Sequence, residues 1–243
     1  MSPGSHVTRP WPRIWNLTVR RAPLHNVTIQ VQGQEFLLHK ELLVRDSEYF
    51  NRALNGAFIE AQTQEIKFDD ISPSDFGFYA DIVYRSFFVQ NFVLRKEQVG
   101  GSLSTKQILS FWQLSDRFLN DPLRMLAEES LRHRLSLYST AQWAKIFARR
   151  PREDIVDRMR RLQDAYYQCI EGEMPFCDEI AEAAANCPAG AYDASCHVME
   201  QDFMALVSKK LISTLSKDLQ QAQSASGVFL KQQADDALRR SGR

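Results

Sequence analysis

The chain predicts an α+β domain followed by a mostly helical region, and three observations carry that prediction. Strict apolar/polar alternation, the mark of a half-buried strand, occurs early, at Val27-Thr28-Ile29-Gln30-Val31. Helical spacing of apolar residues surrounds it and continues to the end of the chain. A strong helix start stands between the two patterns at Ser72-Pro73-Ser74-Asp75, with a capping serine, a proline at the first helical position and an acid three residues on. Strands clustered early with helices around them point to the α+β class.

Each element follows in order. After the first strand, Gln32-Gly33 supplies a tight turn, because glycine accepts positive φ at no steric cost. A second strand through Glu35-Phe36-Leu37-Leu38 completes a hairpin. A short helix is expected from His39 to Val44. Asp46 or Ser47 then caps a helix whose apolar face holds Tyr49, Phe50, Ala53 and Leu54. Phe58-Ile59-Glu60 precedes a short strand at Glu65-Ile66-Lys67-Phe68. The helix opened by Ser72 carries Phe76, Tyr79, Ile82 and Val83. Residues 86–105 break the pattern: Phe87-Phe88-Val89 and Phe92-Val93-Leu94 read as strand pieces, and Gly100-Gly101 as a connection. Periodicity resumes at Ile108, Phe111, Trp112, Leu114 and Ser115. Asp121-Pro122 opens a further helix bearing Met125, Leu126, Leu131 and Leu135.

Composition restricts function. The 243 residues are 44% hydrophobic and 25% charged, ordinary values for a globular protein, and Lys+Arg and Asp+Glu both total 30. No global charge draws the chain to nucleic acid or to an acidic membrane. Charge is uneven locally, with Arg9, Arg13, Arg20 and Arg21 near the start and Arg239, Arg240 and Arg243 at the end. No run approaches the ~20 apolar residues of a membrane span. Pro3, Pro10, Pro12 and Pro23 interrupt any signal-peptide core, so a cytosolic or nuclear setting is expected. There Asn16-Leu17-Thr18 and Asn26-Val27-Thr28 would not meet the glycosylation machinery, and Cys169, Cys177, Cys187 and Cys196 would be reduced.

The ordered set of motifs in the first half resembles the BTB/POZ domain family. It comprises the strand bearing Val27, Ile29 and Val31, then Phe36-Leu37-Leu38-His39-Lys40, Leu43, Ser47-Glu48-Tyr49-Phe50 and Phe58-Ile59-Glu60. Ile66-Lys67-Phe68-Asp69-Asp70, Pro73, Phe76 and Tyr84 continue it, over about residues 24–138. The resemblance implies a protein–protein interaction module without catalysis of its own. It also implies a contact with a cullin ubiquitin-ligase scaffold at Phe58, Ile59 and Glu60, where a hydrophobic-x-Glu sequence marks the members that grip one. Homodimerisation, usual in the family, would place Asn26 and Lys40 at the interface. Many members carry an acid where this chain has Asn26, and an amide cannot neutralise an ammonium. Either Lys40 is solvent-exposed or the dimer is built differently. Tyr84-Arg85-Ser86 also departs from the Tyr-Thr-Gly turn common in the family, and the insert at about 86–105 follows it.

The remaining organisation is a basic arm at 1–23, a helical extension at 139–221 and a flexible or short-helical tail at 222–243. Trp143, Ile146 and Phe147 suggest a short helix stopped before Pro151. Ile155, Met159, Leu162, Tyr166 and Ile170 give an amphipathic helix expected to dock on its own domain, with Arg158, Arg160 and Arg161 off the stripe. Phe203, Val207, Leu211, Leu215 and Leu219 give another, turning polar and flexible from Gln220 to Ser226.

No catalytic or cofactor pattern accompanies these elements. The chain lacks Gly-x-x-x-x-Gly-Lys, Gly-x-Gly-x-x-Gly, His-Glu-x-x-His and Gly-x-Ser-x-Gly spacings, and its five histidines form no local cluster. The cysteines and His197 lack the short chelating pair of a zinc module, so no metal is expected. Three readings stay open: a scaffold binding proteins through sheet edges and helical faces, a cullin-ligase substrate adaptor, and a nuclear regulator touching nucleic acid through its basic ends.

Overall fold

The computed structural model describes residues 25–89, 103–149 and 152–241. The basic arm, the segment with Phe92-Val93-Leu94 and Gly100-Gly101, Pro151 and the last two residues lie outside them.

A three-stranded sheet in the order β2-β1-β3 forms from β1 (Asn26–Val31), β2 (Gln34–His39) and β3 (Glu65–Phe68). β1 pairs antiparallel with β2, Val27 opposite Leu38 and Ile29 opposite Phe36, and parallel with β3, Ile29 opposite Ile66. The alternation read from sequence sets the faces: Val27, Ile29 and Val31 are fully buried, with Phe36, Leu38, Ile66 and Phe68 beside them. The hairpin turn has φ of 46° at Gln32 and 81° at Gly33. Two left-handed residues twist the chain as the flanking strands require.

Helices α1 (Lys40–Asp46), α2 (Glu48–Asn55), α3 (Ile59–Thr63) and α4 (Pro73–Phe88) lie around the sheet. The Ser47 hydroxyl accepts the Phe50 N–H at 3.2 Å to cap α2, and donates to the Phe118 carbonyl. Ser72 caps α4, accepting the Asp75 N–H at 3.1 Å. Phe87 and Phe88, read as strand, form the last turn of α4, and Val89 caps it with its N–H on the Arg85 carbonyl. A three-residue apolar run cannot separate strand from helix by period. Here Arg85 bonds Asp81 one turn back at 2.7 Å, and the Arg45 guanidinium sits 5.1 Å from the Phe87 ring centre.

Among the described residues, six helices and the start of a seventh complete the body: α5 (Thr105–Arg117), α6 (Asp121–Ser136), α7 (Thr140–Arg149), α8 (Arg152–Glu171), α9 (Cys177–Ala185) and α10 (Ala189–Ser195). A short 3₁₀ turn leads to α11, Gln201–Ser241. α11 therefore continues past the expected break at Gln220 and through Gly227: Ser and Gln lower helix propensity only by tenths of a kcal/mol, and one interior glycine by about 1 kcal/mol. On α6, Met125 is 66% exposed and Ala127 is buried in its stead. On α8, Ile170 is exposed and Cys169 takes the inward position, because a strict i+4 row drifts about 40° per step around the helix.

One apolar core runs through the whole body. At its sheet end Phe118 is fully buried, with ring centres 4.8–6.2 Å from Tyr49, Phe50, Phe68, Phe76 and Tyr79. α5 links this end to the helical extension. Trp112 meets Phe176 edge-on at 5.3 Å, and the Gln168 amide on α8 donates to the Ser110 hydroxyl at 3.1 Å. α8 thus docks on its own body, with Ile155, Met159, Leu162 and Tyr166 inward.

Candidate protein-interaction surface

The residues singled out for partner binding fall in two places. The first is α3. Gly56 ends α2 with its N–H on the Arg52 carbonyl, and the chain turns out through an extended Phe58 into one short helix. Gln64 stops α3 in a left-handed conformation (φ 54°), its N–H on the Glu60 carbonyl at 2.8 Å. The Gln64 amide also donates to the carbonyls of Ala61 at 2.6 Å and Leu54 at 3.2 Å. α3 is therefore tied at its C-terminal end to α2 and presents its N-terminal end. Phe58 is 59% exposed and Ile59 64%, with Glu60 half-buried beside them.

Tyr49 of α2 feels the charge of Glu60 and of a nearby ion pair. Tyr49 is half-buried, and burial pushes its phenol up, with the Glu60 and Asp70 carboxylates adding to the push and Arg117 opposing it. Arg117 grips Asp70 with both terminal nitrogens and lies over the Phe68 ring, 5.4 Å from its centre. That fork holds the Asp70 carboxyl below the usual carboxylate range.

The second place is the open end of the hairpin. Asn26 is exposed at the start of β1, in register with His39. Lys40 does not need it: its ammonium is half-buried and donates to the Leu54 carbonyl at the end of α2, at 2.8 Å. The negative end of a helix thus receives the cation, a partner that sequence spacing did not suggest. His39 is part-buried; its backbone N–H donates to the Tyr84 hydroxyl at 2.9 Å, and its Nδ1 lies 2.8 Å from the same oxygen. Glu41 is desolvated, yet the N–H and ring of His25 hold its carboxyl below the usual range. Leu37 stands 63% exposed on the edge strand β2.

The remaining signature residues, Val27, Ile29, Val31, Phe36, Leu43, Ser47 and Phe50, are all buried and build the core. Among the described residues no group of three or more His, Cys, Asp or Glu side chains is placed to hold a metal ion. The four thiols are free, Cys169 and Cys187 buried and Cys177 and Cys196 half-buried. No helix of the described residues is long and apolar enough to cross a membrane.

A small three-stranded sheet wrapped by short helices thus carries an exposed apolar pair, Phe58 and Ile59, on α3. The family model described as BTB/POZ domain matches residues 17–123, and this part of the chain is a BTB/POZ domain. A search of the curated proteins finds no match to the chain.

Proposed function

We propose that the chain is a non-catalytic adaptor that uses its BTB/POZ domain to dock a cullin-type ubiquitin-ligase scaffold through Phe58, Ile59 and Glu60, working in the cytosol or nucleus. The observation that supports this reading is the joint exposure of Phe58 and Ile59, at 59% and 64%, on a helix anchored only at its far end. Burying each against a partner is worth about 1.5–3 kcal/mol, enough together to decide an interface. Glu60, half-buried next to them, supplies the charge that fixes orientation.

The test is binding of the full chain to the N-terminal region of a cullin, measured by calorimetry, for the natural sequence and for Phe58→Ala/Glu60→Ala. Both side chains are outside the core, so the variant is expected to fold with stability within about 0.5 kcal/mol of the parent. Its cullin affinity is expected to fall by a factor of about 100 or more. Equal affinity in the two proteins, or no binding by the parent, overturns the cullin reading and leaves a scaffold for other proteins.

A further inference from the structure

The α3 surface and the open end of the hairpin meet at one atom, the backbone oxygen of Leu54. Leu54 is the penultimate residue of α2, so its carbonyl is one of those a helix end leaves without an intrahelical partner. The residue as a whole is 1% exposed, and water has almost no access to that oxygen. Two side chains occupy its two lone pairs, the Lys40 ammonium at 2.8 Å and the Gln64 amide at 3.2 Å. Lys40 is the first residue of α1, next to the hairpin, and Gln64 ends α3. Among the described residues no other group donates to this oxygen.

Gln64 is built as a clasp. Its backbone is left-handed, with φ at 54°, a conformation that side chains other than those of asparagine and aspartate rarely adopt. Its backbone oxygen accepts the Thr28 N–H of β1 at 3.0 Å, which fixes it to the sheet. Its amide nitrogen serves two carbonyls, Ala61 of α3 at 2.6 Å and Leu54 of α2 at 3.2 Å. Glycine would make the same turn without strain, so the side chain has a task beyond the turn.

We propose that Gln64 and Lys40 are positioning residues for the α3 surface, acting as paired donors on the Leu54 oxygen. The inference rests on the reading of α3 as a docking surface. A partner that meets Phe58 and Ile59 already held in one bearing does not have to order them, and such preorganisation raises affinity without a new contact. Lys40 guards the arrangement. While its ammonium stays, loss of the Gln64 amide leaves the oxygen one charged donor. With both donors gone, the closed position of α3 buries an acceptor without a partner, and opening α3 lets water satisfy it. The two residues are therefore coupled, whereas independent contacts would act additively.

Amide hydrogen exchange of the full chain tests the pair in the parent, Lys40→Met, Gln64→Gly and the double variant. Methionine keeps the lysine stem and glycine keeps the left-handed turn, so both substitutions read the lost donor. The reporter is Ala61, whose N–H bonds the Phe58 carbonyl at 3.1 Å. Lys40→Met alone is expected to leave its exchange near the parent's, and Gln64→Gly to speed it about threefold to tenfold. The double variant is expected to exchange at least about tenfold faster again. A double variant that only matches the product of the singles, or Gln64→Gly at the parent's rate, overturns the proposal; the second comparison stands even if the double variant fails to fold in thermal unfolding. The same proteins enter the cullin calorimetry, where Gln64→Gly is expected to bind several-fold more weakly than the parent. Equal affinity in the two overturns the positioning role. A parent that does not bind removes the cullin reading, and the exchange comparison then decides the positioning role by itself.

Discussion

The indole N–H of Trp143 donates to the carbonyl of Ala183 at 2.9 Å, inside a site from which water is excluded. Ala183 belongs to the last turn of α9, whose carbonyls have no partner within the helix. Asn186 takes the carbonyl of Glu182 and Cys187 that of Ala184, and Trp143 reaches across from α7 to satisfy the one between them. Trp143→Phe keeps an aromatic ring and leaves that carbonyl unpaired. The expected cost is about 2–3 kcal/mol, read as a lower urea midpoint at unchanged slope.

Lys40 offers a similar test at the end of α2. Lys40→Met keeps the aliphatic stem and removes the charge from the Leu54 carbonyl, which still accepts the Gln64 amide. A loss of about 1 kcal/mol is expected, independent of protein concentration. A loss that grows on dilution would instead assign Lys40 to an interface between copies.

The thiols set a pH dependence with a definite sign. Burial pushes the Cys169 thiol up to about 12 and Cys187 up to about 11. In the unfolded chain both release their protons near about 8.5. Above that pH the folded state holds more protons than the unfolded one, so stability falls as pH rises. The fall is up to about 1.4 kcal/mol per pH unit for each thiol, and it ends once the folded thiols themselves titrate. Denaturation curves between about pH 7 and 10 are expected to show a flat region and then this decline, and Cys169→Ala/Cys187→Ala to reduce the slope.

Much of the sheet domain was legible in sequence because its signals are local. The period of two at Val27–Val31, the cap at Ser47 and the Ser72-Pro73 start depend on neighbours a few residues away, and the structure realises each. Phe118 carried no such signal, although five other rings surround it. It follows the last residue of α5, and Leu119, with φ at 49°, then turns the chain so that only Phe118 points inward. Trp143 and Lys40 were named for their positions, but their partners are 40 and 14 residues away and invisible to any window of helical spacing. The Phe58-Ile59-Glu60 sequence was legible as three letters; its exposure was not, because that depends on Gln64 fastening α3 from behind.

The wall shared by the sheet domain and the extension has a mechanical meaning. α5 has one side on the aromatic cluster of the sheet and the other on Gln168 and Phe176. α11 packs on α9, α9 on α8 and α8 on α5, so a continuous series of packed helices joins the long helix to the sheet domain. The direction in which α11 leaves the body is thereby set by packing shared with the sheet domain.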